Sequence, residues 1–136
     1  MTYEPLLISL PIADRVRSRD FYRDGLGLEA VGEPADDGVP EPLLLAPNPM
    51  TRIMLVPAGG FGWVIGDRAV ATDGISECVL GIGAASEEEV HEIVERARSA
   101  GAKVATEPAP QPWGYASAFT DPDGHLWTVT AATLPG

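Results

Sequence analysis

Apolar and polar positions follow two different periods along this chain, and each period indicates a kind of element. A mostly apolar run over 6–13 predicts a buried strand. Asp14 can cap the helix that follows, whose apolar positions recur every three or four residues over 18–26 until Gly27 ends it. Three shorter apolar stretches predict further strands, at 28–32, 43–46 and 51–57. The order predicted for this part of the chain is β-α-β-β-β.

The same order returns in the rest of the chain. A strand is predicted over 76–83, and Ser86 with Glu89 forms a capping box that begins a helix. The buried face of that helix is predicted to carry Val90, Ile93, Val94 and Ala97. Three more strands are predicted, at 103–106, 115–120 and 125–132. Stretches rich in glycine or proline predict irregular connections, at 33–42, 58–75 and 107–114.

We therefore predict an α+β fold of two tandem β-α-β-β-β modules within a single domain, residues 1–136. Module one covers about 5–57, the connection covers 58–75 and module two covers about 76–133. Each helix is expected on the outer face of its sheet. The other face is expected to line the central trough of a curved mixed sheet, where a small molecule can bind.

Charge and cysteine usage narrow the classes of function. The formal net charge of −11, with nine Lys and Arg residues, excludes sequence-independent nucleic-acid binding as the main function. The acidic excess is compatible with a cationic small molecule, and it is also typical of soluble proteins in general. Cys78 is the only cysteine, so no intrachain disulfide can form, and its apolar neighbours predict a small buried side chain.

No stretch is long and apolar enough to predict a membrane span, and the first residues lack the basic region of a signal peptide. We therefore expect the cytoplasm as the location and no membrane partner.

Two sets of segments resemble a known family. The first set is LPIAD at 10–14, SRDFY at 18–22 and LGL at 26–28, and the second is AFTDPDGHLW at 118–127. They resemble the start of the first module and the close of the second module of the vicinal oxygen chelate superfamily. That superfamily includes glyoxalase I, extradiol dioxygenases, fosfomycin-resistance transferases and bleomycin-resistance proteins. The resemblance covers nearly the whole chain in the expected order.

The resemblance implies one divalent metal ion in the trough, held by His, Glu or Gln side chains. Counting from the motifs places the four ligand positions at Leu7, Met54, Glu77 and Thr128. Only Glu77 is a good ligand for a hard cation, and a shift of one residue restores no set of ligands. The two histidines, His91 and His125, do not lie at these positions. We therefore predict no metal and no other cofactor, with a divalent metal as the alternative.

Several side chains could contact a ligand. Glu77, the only candidate for a catalytic base, could pair with a cationic group, act as a general base, or lie in solvent at a strand end. Trp113 and Tyr115 could stack on a ligand at the rim or cover the sheet, and Phe61 and Trp63 could close the trough, form a dimer seam or fold back on the core. The predicted ligand-binding residues are Leu7, Ser9, Met54, Phe61, Trp63, Glu77, Trp113, Tyr115 and Thr128.

Other chemistry has no support in the sequence. The chain contains no Gly-x-Ser-x-Gly nucleophile motif, and Gly81-x-Gly83 lacks the rest of a phosphate-binding fingerprint. The segment 121–124 lacks the remaining ligands of a calcium-binding loop and predicts a turn, and Trp127 is predicted to lie in the core.

The favoured hypothesis is a metal-free small-molecule binding protein similar to the bleomycin-resistance branch, a homodimer that sequesters a cationic or aromatic compound. The alternative is a metal-dependent lyase, isomerase or ring-cleaving dioxygenase of the same superfamily, with ligands contributed across a dimer. A variant of the enzyme hypothesis is metal-free and uses Glu77 as a base. A protein-interaction role based on the aromatic residues of the connection is the third hypothesis.

Overall fold

Two four-stranded mixed sheets and three helices make up the protein, as described for residues 1–66 and 68–132 by a computed structural model. The elements are β1 (Leu6–Ile12), α1 (Arg15–Leu26), β2 (Ala30–Val31), β3 (Leu43–Asn48), β4 (Thr51–Pro57), α2 (Ala58–Ile65), β5 (Leu80–Gly83), α3 (Glu87–Ser99), β6 (Lys103–Gln111), β7 (Gly114–Thr120) and β8 (Leu126–Ala131). The chain forms two compact units, Met1–Val70 and Ala71–Gly136. The predicted α+β fold with tandem β-α-β-β-β modules is confirmed.

Both sheets have the same internal order. The first sheet runs β1-β4-β3-β2, and the second runs β5-β8-β7-β6. β1 pairs with β4 in parallel, and β5 pairs with β8 in parallel, while the remaining pairs are antiparallel. The first strand of each module therefore lies at an edge of its sheet beside the last strand.

The core of the first unit lies between the first sheet and α1. Phe21 and Tyr22 are fully buried on α1 and pack edge to face, with ring centroids 5.1 Å apart. Asp14 caps the helix, because its Oδ1 accepts hydrogen bonds from the N–H groups of Val16 and Arg17. The sheet contributes alternate residues of β1, β3 and β4 to this core, namely Leu10, Ile12, Leu43, Leu45, Ile53 and Leu55.

The core of the second unit lies between the second sheet and α3. Ser86 caps α3 through a hydrogen bond from the N–H of Glu89 to its Oγ, as the capping box predicts. Trp127, Phe119 and Val129 are buried on β7 and β8, which contact α3. The predicted core position of Trp127 is confirmed, and the buried residues of α3 are Val90, Val94 and Ala97.

A side-chain clasp holds the predicted 33–42 connection against α1. The Arg15 guanidinium donates to Asp37 Oδ2 at 2.7 Å and to the carbonyl oxygens of Val39 and Pro40 at 2.7 and 2.8 Å. Val39 is fully buried beneath this clasp. The connection therefore contributes to the core although it contains no strand beyond one isolated bridge, Pro34 to Pro40.

The connection predicted over 58–75 contains a helix instead. α2 follows β4 directly and contacts β1 and β4. A side chain at Gly60 would meet Val56 Cγ1 at 3.4 Å, so the glycine lets the helix lie close to the strand. Glycines lower helix propensity, and the prediction was wrong because tertiary contact overrides that preference here.

Two strand boundaries also differ from the prediction. β5 begins at Leu80 rather than at residue 76, because its pairing with β8 begins at Trp127 and earlier residues have no partner strand. Cys78 is therefore exposed, which corrects the predicted buried side chain. β6 continues to Gln111 through the predicted 107–114 connection, because an edge strand tolerates the missing N–H groups of Pro108 and Pro110.

In the described part of the chain, every helix is too short or too polar to cross a lipid bilayer.

Candidate functional site

The candidate site lies in the second unit, on the face of its sheet opposite α3, which we call the open face. Thr128 of β8 stands there between Gly81 of β5 and Ala118 of β7. On the next rung, Thr130 lies between Gly83 and Ala116. Because strand residues alternate between faces, Trp127 and Val129 point to the core while these threonines point away from it. The middle of the open face is therefore a floor of small side chains.

A register shift in the β6–β7 pairing shapes one side of this floor. The pairing shifts between Thr106 and Ala109, as at a β-bulge. Ser117 Oγ donates to the Thr106 carbonyl oxygen at 2.7 Å beside the shift, so this carbonyl is satisfied. The bulge leaves a cavity of about 50 Å³, which is room for a water molecule or a small ligand group. Besides Ser117, its lining consists of Thr106, Gln111, Trp113, Ala116, Ala118 and Thr128.

Trp113 occupies the turn between β6 and β7, at the rim of the cavity. Its side chain is 63% exposed, so one face of the indole is accessible. The next residue, Gly114, has φ of 140°, and a side chain there would meet Ala132 Cβ at 2.9 Å and Thr130 Cγ2 at 3.1 Å. A glycine is therefore required where the turn lies close to the end of β8.

Among the residues that the structure describes, none with a charged side chain lines this cavity. The nearest acidic neighbour in sequence, Glu107, accepts a hydrogen bond from Arg98 Nη2 of α3 at 2.7 Å. Hydrogen bonds to Glu107 and Glu95 raise the pKa of the Arg98 guanidinium above its ordinary value. The described lining therefore presents an almost wholly apolar surface with two threonine side chains, one carboxamide and one indole, and no formal charge.

The structure separates Tyr115 from this cavity. Its hydroxyl oxygen lies 2.7 Å from His91 Nε2 on α3 and also donates to the Pro108 carbonyl oxygen at 3.5 Å. Tyr115 therefore lies on the helix-covered face, whereas Trp113 lies in the turn before β7, so the two aromatic side chains do not share the rim.

Three predicted ligand-binding residues share one face of the first sheet. Ser9 pairs with Met54, and Leu7 lies two residues before Ser9 on the same face. Phe61 and Trp63 lie on α2, where Phe61 is half-buried and Trp63 is 90% exposed. In the first unit, the five predicted residues therefore form two groups, one on the sheet and one on α2. In the second unit, Thr128 and Trp113 line the cavity.

Glu77 precedes β5 and is exposed. The strand pairing also shows that Glu77 does not lie at the metal position to which counting from the sequence motifs assigned it. Ser9 pairs with Met54 and Gly81 pairs with Thr128, so the second-unit counterpart of Leu7 lies two residues before Gly81. That residue is Val79.

The residues at the expected metal positions do not fit a divalent metal ion. Leu7 and Val79 have no donor atom, Met54 offers a soft thioether, and Thr128 offers a neutral hydroxyl. Among residues 1–66 and 68–132, no group of three or more His, Cys, Asp and Glu side chains is placed to hold one metal ion.

Sequence reasoning missed six residues of the site. The residues absent from the predicted ligand-binding set are Gly81, Thr106, Gln111, Ala116, Ser117 and Ala118. Alternate small residues at 81 and 83 and at 116 and 118 were the available signal, because a run of small side chains on one strand face leaves space above the sheet. Gln111 gave no such signal, since it was predicted to lie in an irregular connection.

Comparisons with known proteins agree with this architecture. The model of the Glyoxalase/Bleomycin resistance protein/Dioxygenase superfamily matches residues 6–129. Among curated proteins, none matches the chain.

Several solved structures are similar. Hypothetical protein SA1046 from S. aureus has a TM-score of 0.81 at 22% identity, covering 97% of this chain and 96% of that one. A glyoxalase-related enzyme from Fulvimarina pelagi has a TM-score of 0.81 at 25% identity, covering 96% of this chain and 89% of that one. TnmS3, an antibiotic binding protein from Streptomyces sp. CB03234, has a TM-score of 0.68 at 22% identity and covers 98% of both chains. At such identities, the likeness establishes the shared fold.

Proposed function

The chain belongs to the Glyoxalase/Bleomycin resistance protein/Dioxygenase superfamily, and from that premise we propose that it binds a flat aromatic small molecule without converting it. The ligand lies on the open face of the second sheet. The observation that carries the proposal is the uncharged cavity beneath the exposed indole of Trp113. An indole at the rim of a small apolar floor can stack on a planar ring.

The lining distinguishes between the two ligand classes expected from the sequence. A cationic ligand could contact the Trp113 ring, but no described lining residue is a carboxylate. Burying a charge without a partner is unfavourable in free energy. The net charge of −11 can still attract cations at longer range. The site itself therefore favours an aromatic ligand over one that is only cationic.

Binding is proposed without a metal ion, because the residues at the family's metal positions are poor donors. No acid–base pair or nucleophile lies among the cavity residues, which supports sequestration over turnover. The likeness to TnmS3, an antibiotic binding protein, is compatible with this choice. A homodimer is part of the proposal, since the exposed Trp63 of α2 would be covered by a second copy. A cytoplasmic location stays a prediction from the sequence.

Binding of two bicyclic probes of similar shape tests the proposal. Naphthalene is neutral and N-methylquinolinium is cationic, and ligand-observed NMR titration gives the dissociation constant of each. We expect both to bind the wild-type protein, with naphthalene at least as tight. Trp113→Ala should weaken both by about tenfold because stacking is lost, and Trp113→Phe should retain most of the affinity.

Tyr3→Ala is the control, because it removes an exposed aromatic ring from the first unit. It should leave both dissociation constants unchanged. Equal loss of binding in Tyr3→Ala and Trp113→Ala, or no binding of either probe to the wild type, would contradict the proposed site.

A further inference from the structure

None of the residues that the structure describes is a hydrogen-bond partner of the Thr128 hydroxyl group. Its Oγ1 makes no hydrogen bond with any residue that the structure describes, although the side chain is half-buried and lines the cavity. A partly buried hydroxyl of this kind is expected to bind water or a ligand atom. It is therefore available to recognise a polar group at the floor of the site.

Gly81 keeps that hydroxyl accessible. The backbone there does not require glycine, since the residue lies in a regular strand outside the left-handed region. A side chain at this position would instead meet Thr128 Oγ1 at 3.4 Å. Glycine within a strand weakens it and often indicates a close approach by another group. Gly81 thus leaves room for an atom beside the hydroxyl.

The rest of the lining restricts what that atom can be. Cationic and carboxylate groups would both lie in the cavity without a countercharge from any lining residue that the structure describes. A neutral acceptor, such as a carbonyl oxygen, can accept a hydrogen bond from the threonine hydroxyl at no such cost. The Gln111 carboxamide, which also has no partner among the described residues, adds a second neutral donor to the lining.

We infer that Thr128, uncovered by Gly81, selects flat aromatic compounds that carry a neutral carbonyl oxygen. Thr128 is a specificity-determining residue, and Gly81 acts through it by leaving space. This inference rests on the proposed function, because it names the class of compound bound at the same cavity. The aromatic ring contacts Trp113 while the carbonyl oxygen reaches the floor.

Chromone and naphthalene form the matched pair of probes that tests the inference. Both are flat bicyclic neutral molecules of similar size, and only chromone carries a carbonyl group. We expect chromone to bind the wild-type protein about tenfold more tightly, the usual effect of one hydrogen bond. Thr128→Val keeps the branched shape and should abolish this preference, measured as the ratio of the two dissociation constants within the same variant.

Gly81→Ala and Gly83→Ala provide a second, independent comparison. They make the same change on the same strand face, but a side chain at Gly83 would meet nothing within 4 Å. The preference for chromone should fall in Gly81→Ala and persist in Gly83→Ala. Should Thr128→Val not fold, these two variants and the amide NMR shifts of Gly81 and Thr128 on addition of each probe decide the question.

The outcomes separate the two proposals. Equal binding of both probes by the wild type, or an undiminished preference in Thr128→Val or Gly81→Ala, overturns the selection by Thr128 and leaves aromatic binding at Trp113 intact. Failure of the wild type to bind either probe overturns the proposed function and the selection together. A preference lost in Thr128→Val and Gly81→Ala but retained in Gly83→Ala supports both.

Discussion

Gly114 fixes the position of Trp113 at the rim of the cavity. The turn that carries the indole lies close to β8, and only a residue without Cβ avoids Ala132 and Thr130. The indole is therefore held by the backbone beside it rather than by contacts of its own, since most of its surface is exposed. The contact that Trp113 offers to a ligand therefore depends on the backbone conformation of Gly114.

Gly114→Ala should lower the free energy of unfolding by about 1–3 kcal/mol, because the new methyl group forces the turn away from β8. It should also weaken naphthalene binding as Trp113 moves. Urea unfolding and NMR titration measure the two effects. Gly101→Ala is the control, since its φ of 111° is equally unfavourable for a side chain but no atom lies within 4 Å. If Gly114→Ala lowers stability but leaves naphthalene binding unchanged, the conformation of this turn does not position Trp113 for binding.

Individual residues were predictable wherever a local rule fixes them. The caps at Asp14 and Ser86 and the buried faces of α1 and α3 follow from short-range patterns, and the structure confirms them. The sequence leaves open whether Tyr115 contacts a ligand or covers the sheet, because its neighbour Trp113 lies in a turn, where strand alternation does not relate the two side chains. The accessible hydroxyl of Thr128 depends on a residue from another strand, which the local sequence does not show.

At the level of elements, the hydrogen bonds of Arg15 hold the acidic 33–42 connection against α1, where Val39 becomes part of the core. A hydrogen bond from the N–H of Val39, with the nearby charge of Arg15, holds the pKa of Asp37 below its ordinary value of 3.8. A lowered pKa in the folded state means that the charged form stabilises the fold. That contribution is fully present above pH 3.8 and is lost as the pH falls below this value through the folded-state pKa.

Asp37→Asn should therefore be less stable than the wild type at pH 7, and the difference should shrink in acid. Urea unfolding at pH 7 and at about pH 3 measures it. Asp36→Asn removes the same charge from the adjacent exposed position and should have little effect at either pH. A stability difference for Asp37→Asn that is equal at both pH values would show that its carboxylate charge does not matter.

The bounds of a strand or helix were predicted well when its own apolar residues show which face is buried. β1 and β4 have the predicted bounds within one residue, and both bury alternate residues on one face. α2 and the second half of β6 were missed because glycine and proline argue against regular structure locally, whereas strand edges and tertiary contacts permit it. The cavity lies beside that missed half of β6, which is why Gln111 was not expected in the site.

At the scale of the whole molecule, the repeat and the family were recoverable from the sequence, while the assembly was not. The sequence predicts the same β-α-β-β-β order twice, and the two sheets share one strand order. Exposed apolar residues on α2 and at the start of β1, such as Trp63 and Leu6, have no explanation within their own unit. Such surfaces are typical of interfaces between protein molecules.

Native mass spectrometry tests the proposed assembly and its metal content together. We expect a species of twice the chain mass with no bound metal, both as purified without chelator and after incubation with manganese, iron, nickel, zinc or magnesium salts. Thioether, aliphatic and lone hydroxyl groups at the family's metal positions are the reason. A monomer at all concentrations would contradict the dimer, and one metal ion per chain would contradict metal-free binding.

The size of the cavity has a consequence for breadth of recognition. Pockets that enclose a drug-sized molecule measure roughly 300–1,000 Å³, whereas this cavity measures about 50 Å³. It can hold one corner of such a molecule, and the substituents at the other end remain outside it. A series of natural compounds that share one ring and differ in their decoration would then bind almost alike. The proposed site would then recognise a fragment common to a chemical class rather than a single compound.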